Sequence, residues 1–97
     1  MVELRVRPEA EADLLDAFAS YEQRRPGLGV EFLAVVNTAI ERIASMPLQF
    51  PLVHRDFRRA LTKRFPFALF FILEDETAVV LAVPHQATDP ARFRGRG

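Results

Sequence analysis

The 97-residue sequence has no cysteine and no tryptophan, one tyrosine, two histidines and four glycines. Without cysteine, neither a disulfide framework nor a thiolate metal site is available. His54 and His85 stand far apart in the chain and form no ligand pair at helical spacing, so no metal is expected. No glycine-rich loop leads from a strand into a helix, which removes phosphate cradles and leaves no cofactor to expect. The serines, Ser20 and Ser45, fall inside predicted helices, which excludes a nucleophile elbow. The longest apolar stretch, Phe65 to Leu73, is far short of the roughly 20 residues of a membrane-spanning helix. Glu3, Arg5 and Arg7 interrupt any leader-like apolar start. A soluble cytoplasmic protein without a membrane partner is the expectation.

Apolar residues make up 49% of the chain, enough for a core, and the length suits one domain over 1–97. Net charge is zero, but its halves differ. Residues 1–53 hold five arginines against eight acids, and residues 54–97 hold eight Arg or Lys against five acids. A polarised surface follows, which bears on partners rather than on fold.

Hydrophobic spacing sets out the elements. Val2, Leu4 and Val6 alternate with charges, the period of a half-buried strand. Pro8, with Glu9, Glu11 and Asp13 behind it, marks a helix start. Leu14, Phe18 and Tyr21 then share a face up to the break at Pro26-Gly27. Leu33, Val36, Ile40 and Ile43 define a second helix that stops before Pro47. Two amphipathic helices with a short joint pack as a hairpin. Pro47 to Asp56 reads as a loop. Phe57 to Phe65 alternates with cations as a strand, Phe67 to Leu73 reads as a central strand, and Thr77 to Val83 as the last. The predicted fold is α+β: a helical hairpin packed on an antiparallel β-sheet, in the order β-α-α-β-β-β. The first strand joins a sheet edge, parallel or antiparallel.

Chemistry concentrates in the basic residues. Arg58, Arg59, Lys63 and Arg64 crowd the predicted third-to-last segment, and Arg92, Arg94 and Arg96 follow the last strand. Cations on an edge strand discourage aggregation, which accounts for some of them. The remainder form a docking surface or, with His85 as acid or base, a phosphate-handling site. The acids Glu9, Asp13 and Asp16 read as a solvated helix face. Neither helix is basic along one face, so direct nucleic-acid binding is not expected.

The order of these fragments resembles the RelE/ParE superfamily of toxins from type II toxin–antitoxin pairs, and within it the ParE branch. The carriers are Pro8 to Leu14, Arg25-Pro26-Gly27-Leu28-Gly29 with Phe32-Leu33, Ile40 to Ile43 with Met46-Pro47, Arg58 to Leu61 with Lys63 to Phe67, and Val80 to Val83 running into His85-Gln86 and Asp89-Pro90. The resemblance implies a plasmid-stabilization type of toxin that inhibits DNA gyrase by binding and is neutralised by a ParD-like cognate antitoxin. It places target binding at Arg58, Arg59, Lys63, Arg64, His85, Asp89, Arg92, Phe93 and Arg94. An acidic or amphipathic antitoxin tail is repelled by the acidic helices and is expected on the basic strand and the groove beside it, at Arg59, Leu61 and Lys63, so that the two surfaces overlap. A RelE-like alternative is a ribosome-dependent mRNA endoribonuclease using Arg59, Lys63, Arg64 and His85. The tail carries Phe93 and no tyrosine, which argues for the ParE branch. A diverged module that retains only antitoxin binding is the third reading. The chain departs from the common ParE pattern at Thr88, where arginine precedes Asp-Pro, at Phe67, where tyrosine follows Phe-Pro, and at Phe93, where tryptophan is frequent.

Overall fold

The computed structural model describes residues 1–96. Strand β1 (Glu3–Val6) leads into helix α1 (Pro8–Arg24), whose proline lacks an N–H where none could be bonded and whose Glu9 and Glu11 face the positive helix end. Helix α2 (Leu28–Ser45) follows after a three-residue joint. Gly27 takes φ 91°, a left-handed backbone that side chains rarely adopt. At Gly29 a Cβ would lie 2.7 Å from the Phe18 carbonyl oxygen, so only glycine lets the two helices approach there. Glu22 closes the joint from α1. Its carboxylate accepts the N–H groups of Gly27 (3.1 Å), Gly29 (2.8 Å) and Val30 (3.4 Å), satisfying orphan donors at the start of α2. The Gly27 hydrogen bond is the main reason that this carboxyl sits below its ordinary value of 4.5.

The hairpin lies on one face of a five-stranded sheet of order β1-β5-β4-β3-β2. Its strands are β2 (Leu52–His54), β3 (Phe57–Leu61), β4 (Ala68–Glu74) and β5 (Thr77–Ala82). The meander β3-β4-β5 is antiparallel as expected. At the edge, β1 pairs parallel with β5, Glu3 opposite Thr77, so the sheet is mixed. Two boundaries differ from the sequence reading. Leu52–His54, read as loop, pairs with β3 across a bulge. The strand expected to reach Phe65 ends at Leu61.

Phe32, Val36, Ala39 and Ile43 of α2 pack with Leu69 and Phe71 of β4 and with Val80 of β5. Rings of Tyr21, Phe65 and Phe67 meet Phe32 edge-on or tilted at 5.1 to 5.5 Å. Each fully buried Phe or Ile contributes about 1.5–3 kcal/mol, which makes this interface the main source of stability. The opposite sheet face is apolar as well: Phe57, Ile72, Val79 and Leu81 form one cluster, and Ala68, Phe70 and Ala82 another. Val53 and Phe93 cover both. Phe93 belongs to a C-terminal 3-10 segment, Pro90–Arg96, folded back over this outer face. Strand β4 is thus buried on both sides, which explains its unbroken apolar run. Among the described residues no helix is long and apolar enough to cross a membrane.

Candidate functional site

The turn after β3 is built by one threonine. Thr62 is buried, its Oγ1 donating to the Phe65 carbonyl at 2.6 Å and accepting the Phe67 N–H at 3.3 Å. Its own N–H bonds the Phe67 carbonyl. These local bonds bend the chain out of the strand, so Lys63 and Arg64 stand at an exposed turn and not on β3. The sequence alternation continues through Phe65, but side-chain capture of the backbone overrides it. Arg64 takes φ 69°, unusual for a residue with a side chain.

Between this turn and α2 runs a groove of about 460 Å³, walled by Val35, Thr38, Ala39 and Arg42 on the helix and by Leu61 to Arg64 on the other side. It continues past Arg42 toward Ser45, Met46 and Gln49, and along the sheet edge past Phe50, Pro51 and Arg59. Arg42 lines all three stretches, with its guanidinium 5.5 Å from the Phe50 ring centre. Sequence reasoning passed over Arg42 because it sits alone on α2, away from the basic run.

The fold sorts the cations by what they touch. Arg58 donates from Nη1 to the Phe50 carbonyl at 2.7 Å and so anchors the loop before β2. Arg64 pairs with Glu31 at 3.0 Å, and Glu31 also takes Arg25 at 2.9 Å. The Arg64 hydrogen bond, then that of Arg25, holds the Glu31 carboxyl below its ordinary value. Arg59 and Lys63 have no carboxylate partner among the described residues.

The tail cations lie elsewhere. Phe93 stacks tilted on Phe70 at 5.8 Å, with the Arg96 guanidinium 4.7 Å from its centre and that of Arg92 at 5.9 Å. Arg96 then reaches Asp13 on α1 at 3.0 Å and donates to the Leu81 carbonyl at 3.1 Å. The same Asp13 oxygen accepts the Val83 N–H at 2.9 Å. Asp13 therefore does more than solvate a helix face: it joins α1, the end of β5 and the tail. No local pattern marks it, since its partners are 70 and 83 residues away. Arg92 and Arg94 remain exposed.

The basic residues predicted as one surface thus divide. Arg59, Lys63 and Arg64 border the groove, while Arg92, Phe93 and Arg94 lie on the segment over the outer sheet face. Leu61 lies on the groove, 46% exposed. His85 bridges to Phe67, its ring 6.3 Å away, and its Nδ1 accepts the Ala87 N–H at 3.1 Å. Asp89 accepts the Ala91 N–H and so caps the 3-10 segment. Among the described residues no group of three or more His, Asp or Glu side chains gathers as a metal site would require.

Comparison with known proteins agrees with this architecture. A chain from the chromosomal ParDE toxin–antitoxin system of P. aeruginosa superposes with a TM-score of 0.78 at 18% identity, covering 88% of this chain and 96% of that one. At that identity the likeness establishes the fold. No curated protein matches in sequence. Residues 4–90 match the family described as ParE toxin of type II toxin-antitoxin system, parDE. The match spans both helices and all five strands, and on it the chain belongs to the ParE toxin family.

Proposed function

We propose that this chain acts on DNA gyrase by binding, and that a ParD-like cognate antitoxin silences it by occupying the groove between α2 and the end of β3. The observation that carries this reading is the groove itself: an apolar floor of Val35, Ala39 and Leu61 under a rim where Arg42, Arg59 and Lys63 carry no carboxylate partner among the described residues. A cationic rim over an apolar floor attracts an acidic, partly apolar segment, and such a segment can order as it binds.

A binding mechanism is favoured over hydrolysis by the state of the candidate catalytic groups. Arg64 is engaged by Glu31, and the Nδ1 atom of His85 is engaged by a backbone N–H of its own turn. Neither is arranged as an activated acid–base pair with Arg59 or Lys63. Target contact falls to the exposed Arg92 and Arg94, with Phe93 fixing their placement, and to Lys63 at the turn.

Purified protein added to gyrase and relaxed plasmid tests this. Loss of supercoiling, or accumulation of cleaved DNA, is expected. Unchanged supercoiling at saturating protein would overturn the gyrase reading, and cuts within translated mRNA after induction would replace it with endoribonuclease activity.

A further inference from the structure

Strand β1 forms a border of the sheet that the fold leaves open. Its odd-numbered residues face β5: Glu3 donates its N–H to the Glu76 carbonyl, and Arg7 donates to the Val80 carbonyl. Backbone groups alternate in direction along a strand, so those of Leu4 and Val6 point the other way. Val2 follows the same parity, since its N–H crosses to the Ala44 carbonyl at the end of α2. Past Val2, no backbone group among the described residues meets Leu4 or Val6 on that side.

The two outer strands are defended differently. Strand β2 is three residues long, bulged against β3 and preceded by Pro51. Strand β1 keeps an unbroken register with β5 from Glu3 to Val6, and its only defence is charge, at the exposed Glu3 and Arg5. Charge on an edge strand normally turns a second strand away. Here the charges alternate in sign, and neither Glu3 nor Arg5 has an ion-pair partner among the described residues. On the other face of the strand, Val2, Leu4 and Val6 are half-buried against the core, so the apolar layer is only partly covered at this border.

We infer that β1 is an interface for a second copy of this chain, paired antiparallel about a two-fold axis beside Leu4. A two-fold interface must be complementary to itself, and the alternation of β1 meets that condition. With Leu4 opposite its own counterpart, the two leucines exchange N–H to carbonyl bonds, and the Val6 N–H reaches the Val2 carbonyl of the second copy. Glu3 then stands opposite Arg5, and Arg5 opposite Glu3, at the non-hydrogen-bonded positions where side chains approach closest. A slip that sets Leu4 opposite Val6 would place Arg5 against Arg5, so charge selects the first register. Leu4 and Val6 of both copies meet on the helix side, and the two sheets join over one apolar layer.

Sedimentation equilibrium of the full chain over a concentration series tests this, together with amide exchange at Leu4 and Val6. A dimer is expected at high concentration, where exchange at both amides should slow about tenfold, as one new hydrogen bond at each would produce. Arg5→Glu sets two acids opposite one another and should weaken dimerisation about tenfold. Adding Glu3→Arg to it restores opposite charges across the axis and should restore the dimer. Both positions are exposed, so the variants should melt close to the parent. A chain that stays monomeric at millimolar concentration would overturn the interface. A dimer whose Leu4 and Val6 amides exchange as in the monomer would overturn it too, by placing the contact elsewhere. A double variant no tighter than Arg5→Glu alone would overturn the register. None of these readouts involves gyrase or an antitoxin, so this inference and the functional reading fail separately.

Discussion

The groove beside β3 and the outer sheet face under the C-terminal segment are the two basic regions of the molecule, and they differ in how much of their chemistry is satisfied internally. On the outer face, Phe93 covers Phe70 and Arg96 closes onto Asp13 and the Leu81 carbonyl. At the groove, Arg59 and Lys63 lack a carboxylate partner and the backbone of Leu61 lacks a strand partner among the described residues. The first region is a closure within the chain. The second leaves Arg59 and Lys63 without a carboxylate partner among the described residues, and the proposed docking of another chain rests on that difference. Charge count alone does not separate them; the closure of Arg96 and Phe93 onto the sheet does.

That contrast can be broken by substitution. Phe93→Ala should produce the largest loss of stability, about 2 kcal/mol, because a half-buried ring leaves the outer clusters uncovered; urea denaturation measures it. A loss near zero would mean that the segment does not hold the outer face. Asp13→Ala should follow at about 1–2 kcal/mol, since it strands the Val83 N–H and frees Arg96. Exchange at the Val83 amide should rise with it, which an effect confined to α1 would not produce.

Lys63→Glu sharpens the other side. Its stability should stay within about 0.5 kcal/mol of the parent, as for most exposed positions without a partner. Its affinity for an acidic antitoxin segment should fall, more at low salt than at high salt, by titration calorimetry. Equal binding at both salt levels would remove the rim from the recognition surface. Joining Arg59→Glu to it should deepen the loss.

The smallest effect concerns pH. Glu22 and Glu31 have folded carboxyls below the ordinary value of 4.5. Their contribution is present above the unfolded value and fades as pH falls through the lower folded value. Stability should therefore decline on acidification below about pH 4.5, and Glu31→Gln should flatten part of that decline without changing its sign. Both groups are exposed, so the change in slope will be slight, and a thermal melt series across the range checks it.

Both helices were legible because each has its own punctuation. Pro8 starts the first, Pro26-Gly27 ends it, and Pro47 ends the second. The central strand was legible because burial on both faces leaves an unbroken apolar run from Ala68 to Leu73. Strand β2 was not, because three residues between Pro51 and the left-handed Arg55 carry too little period to read. Lys63 and Arg64 were read on a strand because they continue the mixed apolar and cationic run that starts at Phe57; the Thr62 hydroxyl, whose bonds are invisible in sequence, lets the strand end at Leu61.

Local spacing, the few glycines and prolines, and the absence of cysteine were enough to determine both helices, the hairpin, the meander and the family likeness. These depend on neighbours within a few residues, where steric and hydrophobic periodicity act directly. Tertiary structure alone decided that β1 runs parallel to β5, that Asp13 meets Arg96, that Arg64 is tied to Glu31, and that Leu61 keeps an open edge. Those outcomes join residues distant along the chain, and only the packed fold brings them within the few ångströms over which hydrogen bonds and ion pairs form.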